Sequence, residues 1–159
     1  MKLADAIQYV AAFNAPVQHR LSHSGLHISI EHPRGTQRVI KNDKGKVVWN
    51  KYMHHHYGYL DKTKGRDGDE VDVIVGPLTQ AKDVYVIHML DKGPDVDARQ
   101  DEDKVMLGFP SAEAAKQAFL TQYPESFFGG MSVLPLAAFK KRLAKASLPN
   151  QKRKIHARA

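Results

Sequence analysis

Asp67, Asp69, Glu70 and Asp72 fall within six consecutive positions of "GRDGDEVDVIVGP", residues 65–77, which then runs into Val73, Ile74 and Val75. Like charges this close repel, and a carboxylate entering an apolar strand needs a cationic partner. A second acidic group, Asp97, Asp101, Glu102 and Asp103, stands just before Lys104. Hard oxygen donors of this kind suit magnesium, manganese or calcium better than zinc. Two such clusters converging on a pair of divalent ions would serve phosphoryl transfer, in which metals clamp the attacking and leaving oxygens. Phosphate would also need cations and hydroxyl donors nearby. Lys104, Lys51, Arg38, Tyr57 and Tyr59 are the candidates.

Other readings compete for the same residues. A lone "DGD" is commonly a solvated acidic turn, but Asp72 lies between Val71 and Val73, whose side chains point to the opposite sheet face. An EF-hand loop fails on spacing, because a frame starting at Asp67 has Asp72 at its sixth position and Leu78 at its twelfth. In "MHHHYGY" neighbouring histidines alternate faces on an extended segment, so His54, His55 and His56 cannot all meet one ion; satisfied or solvent-facing roles are expected. No Ser-His-Asp ordering stands out, and the glycines form no Walker-type phosphate loop.

These residues must be positioned by short elements. Residues 3–13 carry apolar side chains at helical spacing and end at Pro16. "LHISIE" alternates, "QRVIK" and "VVWNKYM" flank a turn at "NDKGK", and "HHHYGYL" precedes the polar loop "DKTKGRDGD". "EVDVIVGP", "DVYVIHML" and "KVMLGF" read as strands, the last two separated by the polar loop "DKGPDVDARQDED". Ser111 caps a helix over "AEAAKQAFLTQY", and "PLAAFKKRLAKA" is a second helix. About five or six strands with helices gathered at the ends predict an α+β fold with a compact antiparallel or barrel-like sheet. The expected division is a helical lead-in at 1–20, a domain at 21–146 and a basic, flexible tail at 147–159.

At 159 residues, 42% hydrophobic and 26% charged, the composition fits one folded domain. The chain has no cysteine, which excludes disulfides, thiolate metal sites and cysteine nucleophiles. It has no apolar run of about 18 residues and no secretory layout in "MKLADAIQYVAAFNAP", so no membrane contact and a cytoplasmic location are expected. Of its 17 acidic residues 12 lie between Asp61 and Asp103, whereas the last twenty residues hold eight Lys or Arg and no acid. The acidic middle would hold cations; the basic tail would contact something anionic, such as nucleic acid, or stay solvated.

"YGYLDKTKGRDGDEVDVIVGPL" resembles the signature of the soluble family I inorganic pyrophosphatases, and more closely the pyrophosphatase-like domain of bacteriophage and other mobile-element proteins. "DEDKVMLGF" at 101–109 and "LPLAAFK" at 134–140 extend the likeness, which covers roughly residues 26–143. The resemblance implies a small closed β-barrel of the oligonucleotide-binding type with helices packed outside. It implies metal-ligand roles for Asp67, Asp69, Asp72, Asp97, Asp101, Glu102 and the shell residue Glu31, with Asp69 also deprotonating the attacking water. Phosphate would be gripped by Lys104, Lys51, Arg38, Tyr57 and Tyr123. The implied cofactor is two or more Mg2+ ions, with Mn2+ as a substitute, and the implied reaction is hydrolysis of pyrophosphate or another phosphoanhydride. Magnesium is thus the expected positive partner of the acidic run. A homo-oligomer or a phage assembly would be the larger context. Glu70, Ile40 and Pro124 depart from the family pattern, where a proline, a second upstream glutamate and a late lysine are expected. The phosphate-gripping periphery is therefore thinner, and the alternative is a degraded relative that binds a phosphate-rich ligand, nucleic acid or a virion partner.

Overall fold

The computed structural model describes residues 17, 19–63, 70–91 and 99–144, so the expected N-terminal helix and basic tail lie outside the described residues. Among the described residues, nine strands alternate with turns before and between two α-helices. They are β1 His19–His23, β2 Leu26–His32, β3 Gln37–Lys41, β4 Val47–Tyr52, β5 His56–Leu60, β6 Asp72–Val75, β7 Asp83–Asp91, β8 Arg99–Leu107 and β9 Phe128–Pro135. The helices are α1 Ala112–Leu120 and α2 Leu136–Ala144, and neither could cross a membrane.

Seven strands form one sheet in the order β1-β2-β5-β6-β8-β7-β9, while β3 and β4 pair apart as a hairpin. This is α+β architecture, as the element pattern predicts. The expected closed antiparallel barrel is not found among the described strands: β1 and β9 are open edges, and β6 and β8 run parallel. The parallel pair follows from chain order. From β6 the chain passes beyond the position of β8 to form β7, and β8 then returns antiparallel to β7 in the gap. Strand alternation marks buried faces but not strand order, so the sequence carried no sign of this insertion.

β1 and β9 were not anticipated, because "HRLSH" is polar and "FGGMSVLP" opens on two glycines. β8 begins at Arg99, inside what reads as loop, because Leu90 and Asp91 of β7 pair with Gln100 and Arg99. Here tertiary pairing overrides polar composition.

Alternation along the central strands builds two cores. Val73, Val75, Val105 and Leu107 point to one face with Ile28, Ile30 and Phe139 of α2. Ile74 and Met106, one residue out of step, point to the other face with Ala115, Ala118 and Phe119 of α1, and with Tyr57 and Tyr123. Ser111 caps α1 as expected, its hydroxyl accepting from the Ala114 N–H.

β2 and β5 approach so closely at Gly58 that an added Cβ would lie 1.9 Å from the Ser29 carbonyl oxygen and 2.8 Å from its carbon. Both obstacles are backbone, so neither can rotate away. Gly58→Ala should therefore lower stability by about 2–4 kcal/mol, read as a lower urea midpoint at unchanged slope. An unaltered midpoint would mean that the two strands can separate freely.

Candidate active site

The parallel register of β6 and β8 sets Asp72 directly beside Lys104, and Glu102, two residues earlier in β8, shares their face. Lys104 is a fully buried ammonium, 1% exposed. It donates to Asp72 Oδ2 at 2.6 Å, to the Tyr57 hydroxyl at 2.6 Å and to Glu102 Oε1 at 2.9 Å. Those three acceptors match the three protons of the ammonium, which is what makes its burial tolerable. The Tyr57 hydroxyl donates in turn to Asp72 Oδ2 at 3.2 Å.

A second cation closes the cluster. Arg38 Nη1 donates to the Tyr123 hydroxyl at 3.3 Å, and its guanidinium lies 4.6 Å from the centre of the Tyr57 ring. Tyr123, held by α1 and the turn after it, donates to the Tyr57 hydroxyl at 3.5 Å. Glu31 is the extra residue of a β-bulge, since the pairing of β2 with β5 steps from Ile30 to His32 across single residues of β5. Its carboxyl feels Asp72, Arg38 and Lys104.

Charge at the site follows from burial and neighbours. Burial, reinforced by Asp72, pushes the Glu102 carboxyl up to about 7 despite Lys104. Burial also works to raise Asp72, but Lys104 and the hydrogen bonds from Glu102, Lys104 and Tyr57 outweigh it and hold that carboxyl lowered. Glu31 is raised, by burial first and Asp72 second. Burial would raise Tyr123, yet Lys104 and Arg38 reverse it and leave the phenol lowered. Tyr57 is raised by burial and Asp72.

The structure thus brings Glu31, Arg38, Tyr57, Asp72, Glu102, Lys104 and Tyr123 together. Lys51 stands apart. It pairs with Arg38 across the β3–β4 hairpin, shares that face and is exposed, with Nζ 5.7 Å over the Trp49 ring. Tyr59 sits opposite Asp72 across β5 and β6. Asp67, Asp69 and Asp97 lie outside the described residues, as does the side chain of Asp101, whose backbone is in β8. Asp103 points to the other face of β8 and bonds His88. His54, His55 and His56 pack on Tyr52, Phe109 and His19 and take no part in the site, in keeping with the alternation of an extended segment.

Trp49 was missed. Its ring lies 5.6 Å from Tyr123, and its buried indole Nε1, like Arg38 Nε, has no acceptor among the described residues. Period-two counting along "VVWNKYM" would have put it on the face of Lys51. The described residues contain no group of three or more acidic or histidine side chains that could by itself hold a metal ion. The donor set nevertheless fits a hard cation, because Asp72 and Glu102 offer carboxylate oxygens converging on one positive charge.

A family model described as inorganic pyrophosphatase matches residues 9–144. A solved inorganic pyrophosphatase from Neisseria gonorrhoeae is 18% identical over 76% of this chain and 87% of that one, with a TM-score of 0.43. One from Coxiella burnetii is 14% identical over 77% and 92%, with a TM-score of 0.40. No curated protein matches the chain.

Glu102 sets a pH dependence whose sign is fixed. Its folded value of about 7 stands above the ordinary 4.5, so the folded chain holds the proton longer. The stability this confers is full below 4.5 and lost as pH rises through 7. Asp72, lowered from 3.8, contributes in the opposite sense and only in stronger acid. Metal-free protein should lose on the order of 2 kcal/mol to Glu102 between about pH 5 and pH 8, and Glu102→Gln should flatten that slope in urea titrations. Equal slopes in the two proteins would assign the titration elsewhere.

Proposed function

Because the chain belongs to the inorganic pyrophosphatase family, we propose that it hydrolyses inorganic pyrophosphate to two phosphates with the help of divalent magnesium, manganese serving as a substitute. The observation that carries this reading is the buried Lys104 ammonium, clasped by Asp72, Glu102 and the Tyr57 hydroxyl with Arg38 beside it. A site of carboxylates alone would repel a compact polyanion. Cations and phenols set among the carboxylates let the carboxylates favour metal while the cations and phenols favour phosphate.

In this reading Asp72, Glu102 and Glu31, with Asp67, Asp69, Asp97 and Asp101 from the acidic segments, hold the ions. An ion held there would supply charge neutralisation for the substrate and a water of lowered pKa. Asp69 orients the attacking water and accepts its proton. With Asp72 and Glu102 turned to the ions, Lys104, Arg38 and Lys51 would meet the oxygens on which charge accumulates, and Tyr57 and Tyr123 would donate hydroxyl hydrogen bonds to them. Tyr123 lies against both Lys104 and Arg38, so charge arriving on phosphate would be shared across the whole cluster. Glu102 would give up its proton when an ion binds, so metal binding near neutral pH should release protons.

The motifs "DGDEVDVIVGP" and "DEDKVMLGF" support assignment to the phage or mobile-element branch, and with it host cytoplasm as the setting. A homo-oligomer or phage assembly and weak nucleic-acid contact by residues 147–159 belong to the same proposal. Phosphate release from pyrophosphate should require magnesium or manganese, stop in EDTA, and fall at least about 100-fold in both Asp69→Asn and Lys104→Met. Metal binding by calorimetry without any turnover would instead favour a ligand-binding role.

A further inference from the structure

The face of β8 opposite Lys104 carries an array that pyrophosphate chemistry leaves unused. Asp103, His88 and Ser132 occupy the adjacent strands β8, β7 and β9. His88 Nδ1 is 2.9 Å from Asp103 Oδ1, and His88 Nε2 is 2.9 Å from Ser132 Oγ. The histidine is fully buried, Asp103 is 3% exposed, and Ser132 is half-buried on the edge strand. The order from interior to edge is therefore acid, imidazole, hydroxyl, with the hydroxyl at the accessible end.

With Asp103 ionised and the imidazole neutral, one set of hydrogen-bond directions satisfies both contacts. An ionised carboxylate only accepts, so His88 Nδ1 carries the proton that faces Asp103. In the neutral ring Nε2 is then the acceptor, and the Ser132 hydroxyl donates to it. This is the tautomer that a histidine needs in order to take a proton from a serine. Two glycines open the strand beside Ser132. Gly129 lies against His88, where an added Cβ would be 2.6 Å from its carbonyl oxygen, whereas nothing stands within 4 Å of a Cβ built on Gly130.

We propose that Ser132, His88 and Asp103 form a second hydrolytic centre, on the sheet face opposite Lys104, that takes small activated carboxylic esters. Ser132 Oγ forms a bond to the acyl carbon while its proton passes to His88 Nε2. The alkoxide or phenolate leaves with that proton. Water then attacks the acyl-serine with His88 again as base, releasing the carboxylic acid and restoring the hydroxyl. Asp103 keeps the ring in its tautomer throughout and is a positioning residue.

The test is site-mapped labelling of the full chain by a fluorophosphonate, paired with p-nitrophenyl acetate turnover. Wild type should give one adduct, on Ser132, and none in Ser132→Ala. His88→Gln should slow labelling at least about 100-fold, and Asp103→Asn by a comparable factor through the wrong tautomer. Phosphate release from pyrophosphate should be unchanged in Ser132→Ala, which checks folding and separates this centre from the first. No adduct on Ser132 in folded wild type, or labelling indifferent to His88→Gln, would overturn the proposal and leave the array a packing device.

Discussion

A lysine ammonium with 1% of its surface in contact with solvent constrains everything around it. Desolvating one such charge costs several kcal/mol, and losing a partner from a buried pair typically costs about 3–5 kcal/mol. Lys104 must therefore be met on every side. Asp72 and Glu102 supply the charge, Tyr57 supplies a neutral acceptor, and the Tyr123 ring lies 5.6 Å away as a further polarisable wall. The energetic demand of one side chain thus explains why two carboxylates and a phenol from three strands converge.

That convergence depends on the parallel pairing of β6 with β8. Parallel register sets Asp72 opposite Lys104, whereas a closed antiparallel meander would have given these strands different neighbours. The insertion of β8 between β6 and β7 is also what allows one strand to serve two faces. Glu102 and Lys104 join Asp72 and Tyr57 on one side, and Asp103 between them reaches His88 on the reverse. Each face then packs against its own helix, α1 on the first and α2 on the second.

The β3–β4 hairpin plays a different part. It stands outside the main sheet, and Arg38, Trp49 and Lys51 share the face that it turns towards Tyr123. Arg38 is drawn in by two phenols, while Lys51 stays in solvent. This wall is built from one half-buried guanidinium and an indole.

The sequence by itself determined the polar residue set and most of the elements. The acidic residues before Val73 and Lys104, the tyrosines of "YGY" and Arg38 are legible as residue types, and Ser111 announced the helix it caps. Residue type and short-range period carry such information because they reflect local preferences. What only the tertiary structure decided was partnership. The open sheet in place of a barrel, β1 and β9, the early start of β8, the detachment of Lys51, the place of Trp49 and the meeting of His88 with Asp103 and Ser132 all depend on which strands lie side by side. Ser132 is 44 residues from His88 in the chain, and no local pattern links them. Strand order is settled by the summed burial of two cores, a global quantity that spacing along the chain does not encode.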